Sequence, residues 1–226
     1  MTRIERIAEA STPDGSKIVL AREGAHLVVR CDRLVLMSSA LHGSEKELAS
    51  LTCSPLAKRK KARVLVGGLG MGFTLRAALD HLGEDAQVVV TELVPALVEW
   101  NRGPLAELAN SPLDDPRCAL ETVNLVAYLQ GNPGKFHAIL LDVDNGPDAL
   151  TTRGNEWLYG RGGLRVMKKL LEPGGTLAVW SAYASPKFEE RVRETGFRLE
   201  VVRARARGAG GKGARHPIYL AKRSNR

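Results

Sequence analysis

Two groups of residues have the types and spacing that chemistry requires, and the first is a glycine run followed by an acid. Gly67, Gly68, Gly70 and Gly72 are followed by Glu92, about 20 residues later. Glycines admit positive φ and let a ligand approach without a Cβ in the way, and an acid at this distance accepts the hydroxyls of a bound ribose. The residues therefore predict a nucleotide-cofactor site.

The second group is the segment Asp142-Val143-Asp144-Asn145-Gly146-Pro147, which follows an apolar run. Alternation along an extended chain sends Asp142 and Asp144 to the same side, where either can meet a substrate while Asn145 shapes the loop. We predict that Asp142 is a base or an orienting acid and that Asp144 is its partner. For both acids the alternative is capping of the following turn.

An ordered series of elements must position these two groups. Val64 to Val66 is an apolar run of the kind found in parallel strands buried on both faces, and a helix begins near Phe73. Strands and helices alternate from there on, which predicts an α/β fold with a parallel sheet, helices on both faces and the site at the carboxyl edge. The predicted strands are Gln87 to Thr91, Cys118 to Glu121, Phe136 to Leu141 and Thr176 to Trp180, with an antiparallel pair at Phe197 to Arg205 and Pro217 to Ala221; the helices are Pro95 to about Asn101, about Leu125 to Gln130, and Leu164 to Leu171, the last closed by Glu172-Pro173-Gly174-Gly175.

The N-terminal part of the chain predicts a separate small unit. Turn signals at Asp14-Gly15 and Glu23-Gly24 separate short alternating segments, and a helix opens at Ser44, with Glu47 completing a capping box, and ends before Pro55. The strands are expected at Lys17 to Ala21, His26 to Arg30 and Arg33 to Met37. We therefore divide the chain into an N-terminal β meander and helix (1–55) and a Rossmann-like, cofactor-binding catalytic domain (56–226).

The glycine spacing narrows the class of cofactor. A dinucleotide fingerprint requires G-x-G-x-x-G/A, and here Phe73 stands where the third small residue belongs. The shorter G-x-G-x-G pattern that remains is associated with S-adenosylmethionine-type cofactors, which carry a ribose but no pyrophosphate.

Composition agrees with one compact enzyme domain. The 226 residues are 44% hydrophobic and 26% charged, and no apolar stretch is long enough to span a bilayer or to serve as a secretion signal, so we expect a cytoplasmic protein with no membrane association. The net charge of +8 favours anionic partners, but aromatic residues do not interleave with the basic clusters, so nucleic-acid binding is not favoured.

The three cysteines of the chain, Cys31, Cys53 and Cys118, match neither a disulfide framework nor a metal site.

Over nearly its whole length the chain resembles the spermidine synthase family, the aminopropyltransferase branch of the class I methyltransferase fold. The resemblance lies in VGGLGMG, Glu92, DVDNGP, LLEPGGTL and the β unit that precedes a helix with His42 and Glu45. It implies a seven-stranded, mostly parallel sheet whose last strand is antiparallel, an adenosylsulfonium cofactor and a homodimer. By position, Asp142 matches the acid that orients and deprotonates the attacking amine, and Asn124 falls where the family often has an acid that contacts adenine.

The same comparison determines the expected reaction. At the position of Gly70 the family has an acid that holds the amine of decarboxylated S-adenosylmethionine. A loop without that acid, beside a helix N-terminus, suits a carboxylate, which predicts intact S-adenosylmethionine and methyl transfer to a nitrogen or oxygen of a small molecule or peptide. Two alternatives stay open: an aminopropyltransferase of polyamine biosynthesis that uses decarboxylated S-adenosylmethionine, and a non-catalytic module that binds nucleic acid or cofactor.

These arguments give a set of candidate site residues. Arg153, Trp157 and Tyr159 follow the catalytic loop and are expected to line the acceptor pocket, although a core or interface position is the alternative for the two aromatics. His42 and His216 are also weaker candidates for the base. The predicted cofactor-binding residues are Gly67, Gly68, Gly70, Gly72, Glu92, Asn124 and Asp142, and the predicted substrate-binding residues are His42, Glu45, Asn145, Trp157, Tyr159 and His216.

Overall fold

The computed structural model describes residues 4–31, 34–143, 146–147, 155–208 and 213–225, which form two β-sheets and their helices. Asp144, Asn145 and Arg153, three of the predicted site residues, lie outside the described residues. Among the helices in these ranges, none is long and apolar enough to cross a membrane.

The N-terminal sheet has four antiparallel strands in the order β1-β2-β3-β4. Their bounds are Ile4–Ser11 (β1), Lys17–Glu23 (β2), His26–Cys31 (β3) and Leu34–Ser38 (β4). The sequence predicts the last three and misses β1. This is an edge strand with most of its side chains exposed, so it lacks the apolar alternation by which a strand is recognised.

The second sheet has seven strands in the order β10-β11-β9-β8-β5-β6-β7. Their bounds are Arg63–Gly67 (β5), Gln87–Thr91 (β6), Cys118–Glu121 (β7), Phe136–Leu141 (β8), Leu171–Trp180 (β9), Arg198–Arg205 (β10) and Arg215–Lys222 (β11). The five neighbouring strands β9, β8, β5, β6 and β7 pair in parallel. Strand β11 is antiparallel to both of its neighbours, β10 and β9. The predicted α/β fold, with a mostly parallel seven-stranded sheet and an antiparallel last strand, is confirmed.

The α-helices are Gly43–Cys53 (α1), Phe73–His81 (α2), Pro95–Arg102 (α3), Leu125–Gln130 (α4), Glu156–Tyr159 (α5), Arg161–Leu170 (α6) and Pro186–Glu194 (α7). The sequence predicts five of these and misses α5 and α7. The latter has a clear start signal, because the hydroxyl of Ser185 accepts the N–H of Phe188 at 3.2 Å and Pro186 follows it directly.

Helix α1 differs from its prediction at the first turn. The capping box expected from Ser44 and Glu47 is wrong, because α1 has His42 at its N-cap and no side-chain cap. The hydroxyl of Ser44 instead accepts the indole N–H of Trp180 at 3.0 Å, which joins the helix to the end of β9. The buried side chains of Leu48, Ala49 and Cys53 pack in the core of the larger sheet. The division of the chain into two domains at residue 55 stays a prediction.

Strand β9 begins earlier than the sequence predicts. Phe136 pairs with Leu171 and Ala138 with Thr176, so residues 172–175 bulge out of the pairing between β8 and β9. The Glu172-Pro173-Gly174-Gly175 motif is therefore an irregularity inside a strand, and α6 ends one residue earlier than predicted. Gly174 has φ +77°, which explains the glycine in this bulge.

Arg117 fixes the end of α2 to the start of β7. Its Nη1 donates to the carbonyls of Leu79 and Leu82, both at 2.9 Å, and its Nη2 donates to Asp115 Oδ2 at 2.7 Å. The guanidinium lowers the pKa of Asp115 to about 2. These contacts bind the carbonyl of Leu82 and add a second donor to that of Leu79, at a helix end where carbonyls lack intrahelical partners.

We expect Arg117→Met to lower the free energy of unfolding by about 2–3 kcal/mol at pH 7, because a charged donor is removed from half-buried acceptors. Urea titration measures this loss. The folded-state pKa of Asp115 is depressed, so its stabilising effect is present above pH 3.8 and is lost as the pH falls towards 2. The difference between the two proteins should therefore shrink in acid, and a difference that stays constant from pH 7 to pH 2 would contradict this account.

Candidate active site

The glycine loop after β5 lies between the ends of two neighbouring strands. Gly68 donates its N–H to the carbonyl of Thr91 at 3.0 Å, and Asp142 donates its N–H to the carbonyl of Gly67 at 2.9 Å. Gly68 has φ +92°, and a Cβ there would collide with the carbonyl oxygen of Asp142 and lie 3.0 Å from Val143 Cγ1. The loop therefore requires glycine for its conformation and for the close approach of the segment after β8.

Glu92 follows β6 and holds the glycine loop from the side. Its Oε2 accepts the N–H groups of Leu69 at 3.1 Å and Gly70 at 3.4 Å, and its Oε1 accepts that of Val94 at 2.8 Å. The side chain is buried, which raises its pKa against the effect of these N–H donors. A carboxylate has about four lone-pair sites, so Oε1 keeps capacity for a ribose hydroxyl.

Gly70 does not face a site that would bind a carboxylate. Its N–H points to Glu92 Oε2 and its carbonyl accepts the side-chain amide of Asn101 at 2.8 Å. A Cβ at Gly70 would lie 3.4 Å from the sulfur of Met37, on β4 of the N-terminal sheet. The loop N–H that the sequence argument offers to a ligand carboxylate is already directed at a protein carboxylate, so that argument for intact S-adenosylmethionine fails.

Asp142 is the first residue after β8, and its carboxylate is held by α2. Thr74, in the first turn of α2, donates its hydroxyl to Asp142 Oδ2 at 2.5 Å. Burial raises the pKa of Asp142 to about 6, although the bond from Thr74 opposes the shift. Thr74 is missing from the sequence prediction, and its only signal is a hydroxyl residue placed two positions after the last loop glycine.

The first turn of α1 brings a second acid towards Asp142. Glu45 is half-buried, its Oε2 has no hydrogen-bond partner, and burial together with the charge of Asp142 raises its pKa. His42 lies at the N-terminus of the same helix, where its ring stacks on Phe73 at 4.3 Å and its Nδ1 lies 2.8 Å from the carbonyl of Ser39. The structure therefore gathers Glu45, His42 and Asp142 around the start of α2.

Another part of the candidate site lies where the ends of β9 and β11 meet the N-terminus of α1. The ring of His216 lies 4.9 Å from that of Trp180, whose indole binds Ser44. The N–H of Gly43 donates to the carbonyl of Ala206 at 2.8 Å, and a Cβ at Gly43 would collide with the backbone of Gly208. Residues 206–208, directly after β10, therefore pack on the N-terminus of the helix that carries Glu45.

Three other predicted residues have structural partners. Tyr159 is fully buried, and its hydroxyl donates to the carbonyl of Val143 at 2.8 Å, so it supports the backbone after Asp142 from the core. Trp157 is half-buried and packs against the same core. Asn124 caps α4, because its Oδ1 accepts the N–H groups of Val126 at 2.8 Å and Ala127 at 3.3 Å, which leaves its amide N–H groups for a base.

Metal-ligating groups do not cluster in the described ranges: no set of three or more His, Cys, Asp or Glu side chains that could hold an ion occurs there. Cys31, Cys53 and Cys118 are all free thiols.

Comparison with known proteins gives sequence relatives that are named as polyamine aminopropyltransferases. The chain is 32% identical over 157 residues to polyamine aminopropyltransferase 2 of Pseudomonas aeruginosa, an alignment that covers 66% of the chain and 43% of the relative. It is 30% identical over 137 residues to polyamine aminopropyltransferase of Mycobacterium tuberculosis, covering 58% of the chain and 25% of the relative. The chain thus spans less than half the length of these curated relatives, and no protein-family model matches it.

The solved structures that it resembles have the same fold. Spermidine synthase from Thermotoga maritima superposes with a TM-score of 0.72 at 16% identity, over 98% of the chain and 73% of that structure. A spermidine synthase in complex with the transition-state analogue AdoDATO also gives a TM-score of 0.72 at 16% identity, over 100% of the chain and 75% of that structure.

These findings correct the expected reaction. The curated relatives are named as aminopropyltransferases and the structural neighbours as spermidine synthases, so the prediction of methyl transfer from intact S-adenosylmethionine is wrong. The physical reason is that the absence of an acid at Gly70 does not create an anion site, because Glu92 binds the loop amide and the sulfur of Met37 lies beside the glycine.

Proposed function

Because the chain belongs to the spermidine synthase-like family, we propose that it is an aminopropyltransferase that uses decarboxylated S-adenosylmethionine as donor and a primary amine as acceptor. The observation that carries this proposal is the position of Asp142, a half-buried acid beside the glycine loop whose carboxylate is fixed by Thr74. The proposal includes the homodimer and the cytoplasmic location, which rest on the sequence alone.

The donor half of the site suits an adenosylsulfonium compound. The positive φ of Gly68 and Gly72 lets the loop turn at the ends of the strands. The Oε1 of Glu92 is available to a ribose hydroxyl, and the amide of Asn124 is available to an adenine ring. The donor supplies an activated carbon next to a positively charged sulfur. The protein therefore has to align the acceptor, exclude water and keep the attacking nitrogen neutral.

The acceptor half suits an amine. An ammonium group in water has a pKa of about 10.4, as in lysine, and carries no lone pair for attack until it loses a proton. Asp142 can orient that nitrogen through the oxygen that Thr74 does not occupy, and its raised pKa makes it a better proton acceptor than an ordinary aspartate. His42 and His216 lie near this place, at the start of α1 and beside Trp180.

The choice of donor can be tested by calorimetry. We expect methylthioadenosine, the product of aminopropyl transfer, to bind at least about tenfold more tightly than S-adenosylhomocysteine, because the half-buried carboxyl groups of Glu45 and Asp142 repel a ligand carboxylate. Incubation with decarboxylated S-adenosylmethionine and a diamine should then release methylthioadenosine. Tight binding of S-adenosylhomocysteine alone would contradict the proposal, and salt-sensitive nucleic-acid binding without any turnover would support the non-catalytic alternative.

A further inference from the structure

The basic charge of the chain is concentrated in its last two strands. Residues 1–197 contain 24 basic and 24 acidic side chains, whereas residues 198–226 contain nine basic side chains and one acid, Glu200. The net charge of +8 is therefore carried by β10, β11 and the segments that adjoin them. A surface with such an excess of one charge attracts partners of the opposite sign.

The end of β10 presents its arginines to solvent. Arg203, Arg205 and Arg207 are exposed, whereas the residues between them, Ala204 and Ala206, are buried. Successive residues on one face of a strand are about 7 Å apart, so the guanidinium groups of this strand are offered at regular intervals.

The pairing of β10 with β11 adds a fourth arginine. Arg215 is exposed and lies directly opposite Arg205 in the antiparallel register. Like charges that lie opposite each other destabilise a sheet, so this pair does not serve the fold. Glu200, the acid of the hairpin, lies on the other face of β10 from Arg205 because side chains alternate along a strand. We call Arg203, Arg205, Arg207 and Arg215 the arginine row.

The helix on the same face of the hairpin offers little free negative charge. Phe188 of α7 packs on Tyr219 with ring centres 5.1 Å apart, and Tyr219 is on the same face of β11 as Arg215. Two of the three acids of α7 are held in ion pairs, by Arg193 and by Arg161. The arginine row therefore keeps its positive charge.

An exposed aromatic ring lies beside the arginine row. The carbonyl of Ala182 lies 3.4 Å from Nδ1 of His216, so Tyr183, the next residue, lies beside the start of β11. The side chain of Tyr183 is 69% exposed. In the sequence it stands 32 positions before Arg215. The fold thus supplies the aromatic neighbour that the sequence pattern of the basic cluster lacks.

We propose that the arginine row and Tyr183 form a binding surface for single-stranded nucleic acid. A guanidinium group pairs with a phosphate through two parallel N–H donors, and a row of such groups follows a chain of phosphates. An exposed aromatic ring stacks on an unpaired base whatever its identity. The partner is therefore recognised by its phosphates and by an unstacked base, and not by its sequence. This surface is independent of the proposed aminopropyl transfer.

Fluorescence anisotropy with a fluorescein-labelled strand of about 16 thymidine nucleotides tests the arginine row. Four phosphate contacts predict a slope of about −2.8 for log affinity against log salt, which is a loss of about 50-fold between 50 mM and 200 mM NaCl. In the double variant Arg203→Gln/Arg215→Gln the slope should fall to about −1.4.

The matched control is Lys58→Gln/Lys60→Gln, which removes two exposed charges from the segment before β5. It should leave the slope unchanged. All four substituted side chains are exposed, so both double variants should stay folded, which urea titration checks. An equal change of slope in the two double variants would mean that only the net charge matters and would overturn the proposal. Failure of the wild-type protein to bind the strand would overturn it as well.

Substitution of Tyr183 distinguishes a nucleic acid from other polyanions. Tyr183→Ala should weaken binding of the strand about tenfold at an unchanged salt slope, whereas Tyr183→Phe keeps the ring and should bind as the wild type does. Heparin, a polyanion without bases, should bind equally to all three proteins. If Tyr183→Ala has no effect, or if duplex DNA, heparin or phosphatidylserine vesicles bind more tightly than the single strand, the proposal fails. Turnover is measured separately, and its absence would contradict the proposed function and not this surface.

Discussion

Asp142→Asn is expected to lower kcat/KM for aminopropyl transfer by about 10²- to 10⁴-fold, the range for removal of a group that positions and deprotonates a nucleophile. Asparagine can still accept the hydroxyl of Thr74, so the loop should keep its place and methylthioadenosine should bind as in the wild type. Release of methylthioadenosine measures the rate, and calorimetry measures the binding. A variant that keeps more than about a tenth of the activity would show that Asp142 does not act on the acceptor.

The same substitution should stabilise the folded protein at neutral pH. The folded-state pKa of Asp142 is about 6 against a usual 3.8, so the native state binds more protons than the unfolded state between these values and its stability falls as the pH rises through them. Asparagine carries no charge and avoids this loss, a gain of up to about 3 kcal/mol at pH 7 that disappears below pH 3.8. Urea titrations of the wild type and the variant at pH 7 and at pH 3.5 measure the difference in their free energies of unfolding at each pH. A variant that is less stable than the wild type at pH 7 would contradict burial as the cause of the pKa shift.

Gly68→Ala is the second substitution with a large expected effect. A Cβ at Gly68 would collide with the carbonyl of Asp142 while φ stays at +92°, so either the loop or the segment after β8 must move. We expect a loss of donor affinity of at least about 100-fold, because a backbone displacement near 1 Å is enough to misplace bound and reacting groups. Binding of methylthioadenosine is the measurement.

Gly15→Ala is the matched control for this substitution. Gly15 has φ +87° in the turn between β1 and β2, and a Cβ there would meet nothing within 4 Å. Gly15→Ala should therefore lower the free energy of unfolding only by the cost of placing an alanine at positive φ, about 1–2 kcal/mol. It should leave donor binding unchanged. If both variants bind methylthioadenosine equally well, the close approach of Gly68 to Asp142 has no role in the site.

The donor half of the site could be predicted from the sequence because its signals are local. The apolar run Val64 to Val66, the glycines after it and the acid at the end of the next strand lie within 30 residues of one another and follow the periods of strand and helix. Parallel pairing then brings the ends of β5, β6 and β8 to one edge, and this places Asp142 beside Gly68. The α/β fold and the place of the glycine loop at this edge of the sheet follow from these patterns.

The acceptor half could not be predicted in the same way, because its contacts join distant positions. No sequence period brings Thr74 to Asp142, Trp180 to Ser44 or Gly208 to Gly43. The error about methyl transfer has the same origin. The absence of an acid at Gly70 is visible in the sequence, but the Glu92 carboxylate that binds the loop amide is a tertiary contact.

The bond between the indole of Trp180 and the hydroxyl of Ser44 joins residues 136 positions apart, whereas the bond from Leu69 to Glu92 spans 23. Closing a longer loop costs more chain entropy, and contacts between distant positions form after local ones have reduced that cost. The glycine loop and Glu92 thus belong to one continuous segment of the chain, whereas the contact between α1 and β9 joins two distant segments. If the proposed function is correct, we expect the acceptor side of the site to form later in folding than the glycine loop.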